Sequence, residues 1–109
     1  MVKGEVHLGD IGTKFVFTIK DEQPSGQVVV PIGATDTHKV TFERPDGTTF
    51  DKTTTREGDG TKGEVSYTTS DATILNQAGL WRGQVELTVV SPAQVHKTTI
   101  VPFVVHRNL

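Results

Sequence analysis

The stretch Gly79-Leu80-Trp81-Arg82-Gly83-Gln84-Val85-Glu86-Leu87-Thr88-Val89-Val90 alternates apolar and polar residues around the only tryptophan of the chain, and it limits the fold more than any other segment. Period two is the signature of a β-strand with one buried face. Trp81, Val85, Leu87 and Val89 fall on one side and Arg82, Gln84, Glu86 and Thr88 on the other. A strand of this kind needs a second layer over its apolar face. Gly83 lies on that face and predicts a bulky neighbour above the strand, either Trp81 itself or an aromatic ring from a facing sheet.

The chain has 109 residues, which suits one domain, residues 1–109, and is too short for two separate cores. Its 11 basic and 13 acidic residues give a formal charge of -2, so there is no basic field to hold a phosphate backbone and nucleic acid is not an expected partner. Cysteine is absent, which removes disulfides and thiolate chemistry. The apolar fraction of 34% is modest, and threonine and glycine make up the difference, a mix that favours strands and turns over helices. No run approaches the roughly 20 apolar residues of a membrane span, and Met1-Val2-Lys3-Gly4-Glu5 has no apolar signal region, so a soluble product with no membrane partner is expected.

Along the chain, residues 5–8 form a short candidate strand ending in the glycine loop 9–13. Residues 14–20 alternate cleanly, with Phe15, Phe17 and Ile19 on one face. The charged segment 21–26 is expected as a solvated turn, and 27–30 as an edge strand ended by Pro31. After a bend at 33–36, strand 38–43 places Val40 and Phe42 on one side. Arg44-Pro45-Asp46-Gly47 is a strong turn signal, because proline presets φ and glycine accepts a positive one. The return through 48–56 is polar apart from Phe50 and is expected as a protected edge. A second glycine-rich turn, 57–63, leads to strand 64–69 with Val65 and Tyr67 on one face. Residues 70–79 open with a candidate N-cap and close with glycine, which predicts about one turn of helix with Ile74 or Leu75 plugging the core. A last strand over 95–106 follows the Trp81 strand and directs Val101, Phe103 and Val105 inward. These elements predict an all-β fold, an immunoglobulin-like β-sandwich of about seven antiparallel strands, with a small closed β-barrel as the alternative.

The chemistry-bearing residues form no catalytic signature. His7, His38, His96 and His106 stand at no metal-ligand spacing and are expected as surface histidines. Glu57, Asp59 and Thr61 alternate in a glycine-rich loop but lack the twelve-residue calcium loop with its terminal glutamate. Ser25, Ser66, Ser70 and Ser91 lack nucleophile-elbow glycines, and no pattern calls for a cofactor or points to an enzyme. Trp81 and Tyr67 could stack on a sugar, but their places in alternating strands favour packing. Val16, Val90, Ile100 and Val104 lie off the core-facing pattern and are the candidate partner interface, provided that they cluster.

The succession Gly33-Ala34-Thr35, Val40-Thr41-Phe42-Glu43-Arg44-Pro45-Asp46-Gly47-Thr48, Asp59-Gly60-Thr61-Lys62-Gly63-Glu64-Val65-Ser66-Tyr67-Thr68 and Leu75-Asn76-Gln77-Ala78-Gly79-Leu80-Trp81-Arg82-Gly83-Gln84-Val85 resembles a tailed-phage family. It is similar to the immunoglobulin-like N-terminal domain of upper baseplate proteins and related small phage structural proteins. The resemblance spans residues 11–103. It implies a non-enzymatic virion protein, made in the host cytoplasm, whose partners are other virion proteins of the tail or baseplate. It carries over no site residue, because the shared positions look structural. Upper baseplate proteins continue into a linker and a trimerising or receptor-binding part, whereas this sequence stops at Leu109. A capsid decoration protein and a carbohydrate-binding module are the competing readings. Self-association on the virion is compatible with each virion reading, since a scaffold can impose symmetry that the free chain lacks.

Overall fold

The structure, a computed structural model, describes residues 6–24, 26–90, 93–98 and 100–108, with backbone alone at 21–23. It is all-β, with no helix among the described residues. The strands are β1 (Val6–His7), β2 (Lys14–Thr18), β3 (Lys20–Gln23), β4 (Gly26–Val29), β5 (Thr37–Glu43), β6 (Thr49–Thr53), β7 (Thr55–Arg56), β8 (Glu64–Thr68), β9 (Gly79–Val89), β10 (Gln94–Lys97) and β11 (Val101–His106). One sheet has the order β1-β11-β9-β5-β6, with β10 also beside β9; a second has the order β2-β8-β7; and β3 pairs with β4 alone. The sheets curl into a half-barrel. Every pairing is antiparallel except β1 with β11.

The Trp81 strand is the axis of the larger sheet, with β5 along one side and β10 and β11 along the other. Trp81, Val85 and Leu87 are fully buried, as the alternation predicts. The space above Gly83 is filled by two aromatic rings: a Cβ there would meet Phe17 of the other sheet at 3.4 Å and Phe42 of β5 at 3.5 Å. Phe15 and Phe17 of β2 and Val65 of β8 supply the facing layer. Contacts between the layers are aromatic, with Phe15 centred 5.5 Å from Phe42 and 4.8 Å from Phe103.

The strand segments outnumber the seven expected because the chain breaks where the sequence reads as continuous. The return through 48–56 is two strands in different sheets. It leaves the larger sheet after Thr53, opposite Lys39, and enters the smaller one at Thr55, opposite Ser66. Thr54 at the crossing is buried, with its hydroxyl 2.6 Å from His38 Nδ1. The expected final strand is broken by a bulge. Between the pairs Lys97↔Glu86 and Val101↔Gly83, β9 advances three residues (86 to 83) and the returning chain four (97 to 101). Thr98 stitches the bulge, accepting the Val85 N–H on Oγ1 and donating its own N–H to the Val85 carbonyl, both at 2.9 Å.

Three further expectations are corrected. Residues 21–23 belong to strand β3, paired antiparallel with β4, not to a turn. The segment 70–79 has turns in place of a helix: the Asp71 carboxylate accepts both the N–H and the hydroxyl of Thr73, fixing an Asx-turn that competes with helix. Asp46–Thr48 and Asp59–Thr61 close in the same way. Ile74 and Leu75 nevertheless are both buried and plug the core. Val101, expected inward, is 41% exposed, because Phe17 and Phe42 already fill the space over its partner Gly83 and β1 flanks β11 only at Val105 and His106.

Gly60 shows why the second glycine-rich loop needs its glycines. With φ at +83° it sits against the chain that follows the β3–β4 hairpin, and a Cβ would fall 2.1 Å from the Ile32 carbonyl oxygen. The approach allows the Gly60 carbonyl to accept the Ile32 N–H at 2.9 Å.

Candidate functional site

Two of the four stretches that carry the resemblance, around Arg44–Thr48 and Asn76–Trp81, meet at one end of the larger sheet. Asp46 of the β5–β6 turn accepts from the Gln77 amide at 2.8 Å, and the Gln77 carbonyl accepts from the Trp81 indole N–H at 2.9 Å. Arg44 donates to the Asn76 side chain at 3.2 Å and lies 4.3 Å above the Phe50 ring. Gly79 closes this corner with φ at +130°, where a Cβ would press on Pro45 at 3.0 and 3.2 Å. These residues therefore hold a turn, a loop and the start of β9 together. Their chemistry is that of a brace.

The four candidate interface residues do not form one group. Val16 is half-buried in β2, in the smaller sheet. Val90, 58% exposed, follows the far end of β9, and its N–H donates to Asp36 at 3.2 Å. Val104 lies in β11 and is 49% exposed, and Ile100, 52% exposed, just precedes that strand. Leu80, absent from the expectation, is the cross-strand partner of Val104 and is 47% exposed; Val101, 41% exposed, pairs with Gly83 on the other parity, and Val95, 60% exposed, pairs with Thr88, eight residues along β9 from Leu80. Leu80 was legible, since it has the parity of Arg82 and Gln84. Val101 was not, because its exposure depends on which strand flanks it.

Among the described residues, β10 and β11 have β9 on one side, and on the other only Val105 and His106 are paired, to β1. Pro102 sits in this border and has no N–H to offer an incoming strand.

The polar groups elsewhere are engaged with one another. An open depression is lined by Asp36, Thr37, His38, Lys39, Thr53, Glu86 and Thr88. Within it Asp36 accepts from the Gly33 N–H at 2.8 Å, Lys39 pairs with Asp51 at 3.3 Å, and Glu86 faces Lys97 at 3.8 Å. Burial, with Arg56 nearby, lowers the His38 pKa. Ser66 donates to Glu57 at 2.9 Å, and Glu57 also accepts from Lys14 at 2.8 Å, which holds its carboxyl below the ordinary range. Asp46, Asp51, Asp59 and Asp71 are likewise lowered, each first by a threonine hydroxyl. A general acid needs displacement the other way. Glu57, Asp59 and Thr61, which superficially resemble calcium ligands, are spent on these turn contacts, and no cluster of three metal-ligating side chains occurs among the described residues. Trp81 is wholly buried, and the half-buried Tyr67 ring packs against Phe42 with centroids 5.8 Å apart.

Comparison of the chain with protein-family models, curated proteins and solved structures finds no match in any of the three.

Proposed function

We propose that this chain is a non-enzymatic structural protein of a tailed-phage virion, an immunoglobulin-like domain that docks on a tail or baseplate scaffold through protein–protein contacts. The observation that carries the reading is the exposed cross-strand apolar pair Leu80 and Val104, with Ile100 also exposed just before β11. Exposed apolar residues gathered on one border mark an interaction surface. The strand order supports the immunoglobulin-like assignment. A sheet β2-β8-β7 facing a sheet β1-β11-β9-β5-β6 follows the two-sheet division of that fold. One departure is that the buried tryptophan lies on β9, the centre of its sheet, without the disulfide that accompanies it in antibody domains. The brace from Asp46 through Gln77 to Trp81 gives two of the resembling stretches, 40–48 and 75–85, a shared structural role.

Docking through apolar side chains depends weakly on salt. The test is to replace Ile100 and Val104 by Asp, singly and together, in the phage that encodes the chain. Both residues are about half exposed, so the isolated variants should fold with an unchanged CD spectrum while incorporation into virions is lost. Normal incorporation of the folded double variant would refute this docking surface.

A further inference from the structure

The larger sheet ends at β6, and the ladder fixes which of that strand's backbone groups face outward. The Arg44 N–H donates to the Thr48 carbonyl at 2.8 Å, and the register runs on without a bulge through Glu43↔Thr49, Phe42↔Phe50, Thr41↔Asp51, Val40↔Lys52 and Lys39↔Thr53. Hydrogen-bonded and non-bonded pairs alternate in an antiparallel ladder, so Phe50 and Lys52 spend their backbone groups on β5. Thr49, Asp51 and Thr53 turn theirs outward, where no strand among the described residues meets them. Edges are ordinarily protected by proline, a bulge or exposed charge. This one has neither proline nor bulge, and its charges are engaged: Lys52 is half-buried, while Asp51 pairs with Lys39 at 3.3 Å and accepts the Thr41 hydroxyl at 2.7 Å. The opposite border of the sheet carries Pro102 in β11.

We propose that β6 pairs antiparallel with β6 of a second copy of this chain, so that two larger sheets become one across a two-fold axis. The side chains select the alignment. Outward-facing residues must meet outward-facing ones, and two-fold pairings that overlap at least three residues of β6, Thr49–Thr53, are centred on Phe50, Asp51 or Lys52. Centring on Asp51 sets two carboxylates face to face, and centring on Lys52 sets two ammonium groups so; like charges directly opposite are destabilising. Centring on Phe50 brings two half-buried rings together at the closer, non-hydrogen-bonded position. It also sets each Asp51 opposite the exposed Thr49 hydroxyl of the other copy, which donates to that carboxylate as Thr41 does within the chain. The strand is far too short to bury the roughly 1,200 Å² of a stable interface, so the dimer is weak and reversible. It is separate from the Leu80 and Val104 surface and does not depend on the virion reading.

The test is sedimentation of the purified full chain between about 10 μM and about 1 mM, with amide hydrogen exchange followed by NMR over the same range. A reversible monomer–dimer equilibrium should appear toward the upper concentration. The Thr49 and Asp51 amides should slow as the dimer fills, and the Thr53 amide, which lies beyond the paired residues, should stay fast. Thr49→Asp sets a carboxylate opposite Asp51 twice per dimer and should weaken association about tenfold. Thr49→Lys should tighten it severalfold at low salt and lose that gain at about 0.5 M salt. Thr49 is exposed and faces Glu43, which is held by Arg82 at 2.7 Å, so both variants should keep the CD spectrum of the parent. A monomer at 1 mM, a dimer indifferent to both variants, or slowing of the Thr53 amide together with the other two would each overturn the proposal, the last by assigning the alignment centred on Asp51.

Discussion

Replacing Trp81 by Phe tests how the domain is braced and, at the same time, why the tryptophan is not a ligand platform. The indole is fully buried, packed at centroid distances of 6.1 Å from Phe50 and 5.9 Å from Phe103, with its N–H bonded to the Gln77 carbonyl at 2.9 Å. Phenylalanine leaves a void of roughly 40 Å³, which at about 24 cal/mol per Å³ costs about 1 kcal/mol. The Gln77 carbonyl loses its donor, for about 1–2 kcal/mol at a half-buried site. The sum is about 2–3 kcal/mol, a sizeable part of the stability of a small domain. In urea that corresponds to a midpoint lowered by about 1–2 M at an m-value of about 1.5 kcal/mol/M. Far-UV CD is the assay, since the variant has no tryptophan. The native protein should emit blue and resist a soluble quencher until it unfolds. A midpoint shift below about 0.3 M at unchanged slope, or ready quenching of native Trp81, would refute the packing argument.

Gly79→Ala should destabilise by about 1–3 kcal/mol in thermal unfolding, since φ at +130° is glycine's own region and the new methyl presses on Pro45. Tyr67→Phe should change stability by less than about 1 kcal/mol, because it removes a buried hydroxyl whose desolvation offsets the hydrogen bonding it gains near Ser70. Acid should act through Asp46, whose carboxyl is drawn down to about 2 from 3.8, first by the Thr48 hydroxyl, then by the Thr48 N–H and Gln77. A folded value below the unfolded one means stability complete above the unfolded value and lost as pH falls toward the folded one. Asp46→Asn should therefore flatten the fall in Tm between about pH 4 and 2. His38, also lowered, contributes with the same sign from its ordinary value of 6.5 downward, and His38→Gln should remove that slope.

The elements legible in the sequence are those whose side chains obey one rule along their whole length. Alternation placed Phe15, Phe17, Val40, Phe42, Val65 and Trp81 in the core, and all six are buried. The Pro45–Gly47 turn is also as expected, with Gly47 at φ +88°. What escaped detection depends on tertiary partners. The sheet change at Thr54 is settled by a hydrogen bond to His38, and the bulge at Thr98 by its bonds to Val85. Threonine composition pointed to strands, but not to buried threonines that stitch them. Among the surface residues marked by the same parity, Val104 lies in β11 and Ile100 just before it, whereas Val16 and Val90 lie elsewhere. Pattern tells which residues leave the core, and only topology tells which of them meet. The pairing of His7 with His106 is the extreme case, since a parallel pairing of the two chain ends leaves no local mark.

Immunogold labelling of intact virions with an antibody against this chain tests the central claim most directly. The account predicts gold on the particle, at the tail or baseplate; gold spread over the capsid would assign a decoration role in place of the tail one. Reproducible absence of label from intact and lysed particles, with the antibody shown to recognise the purified chain, would contradict a virion protein.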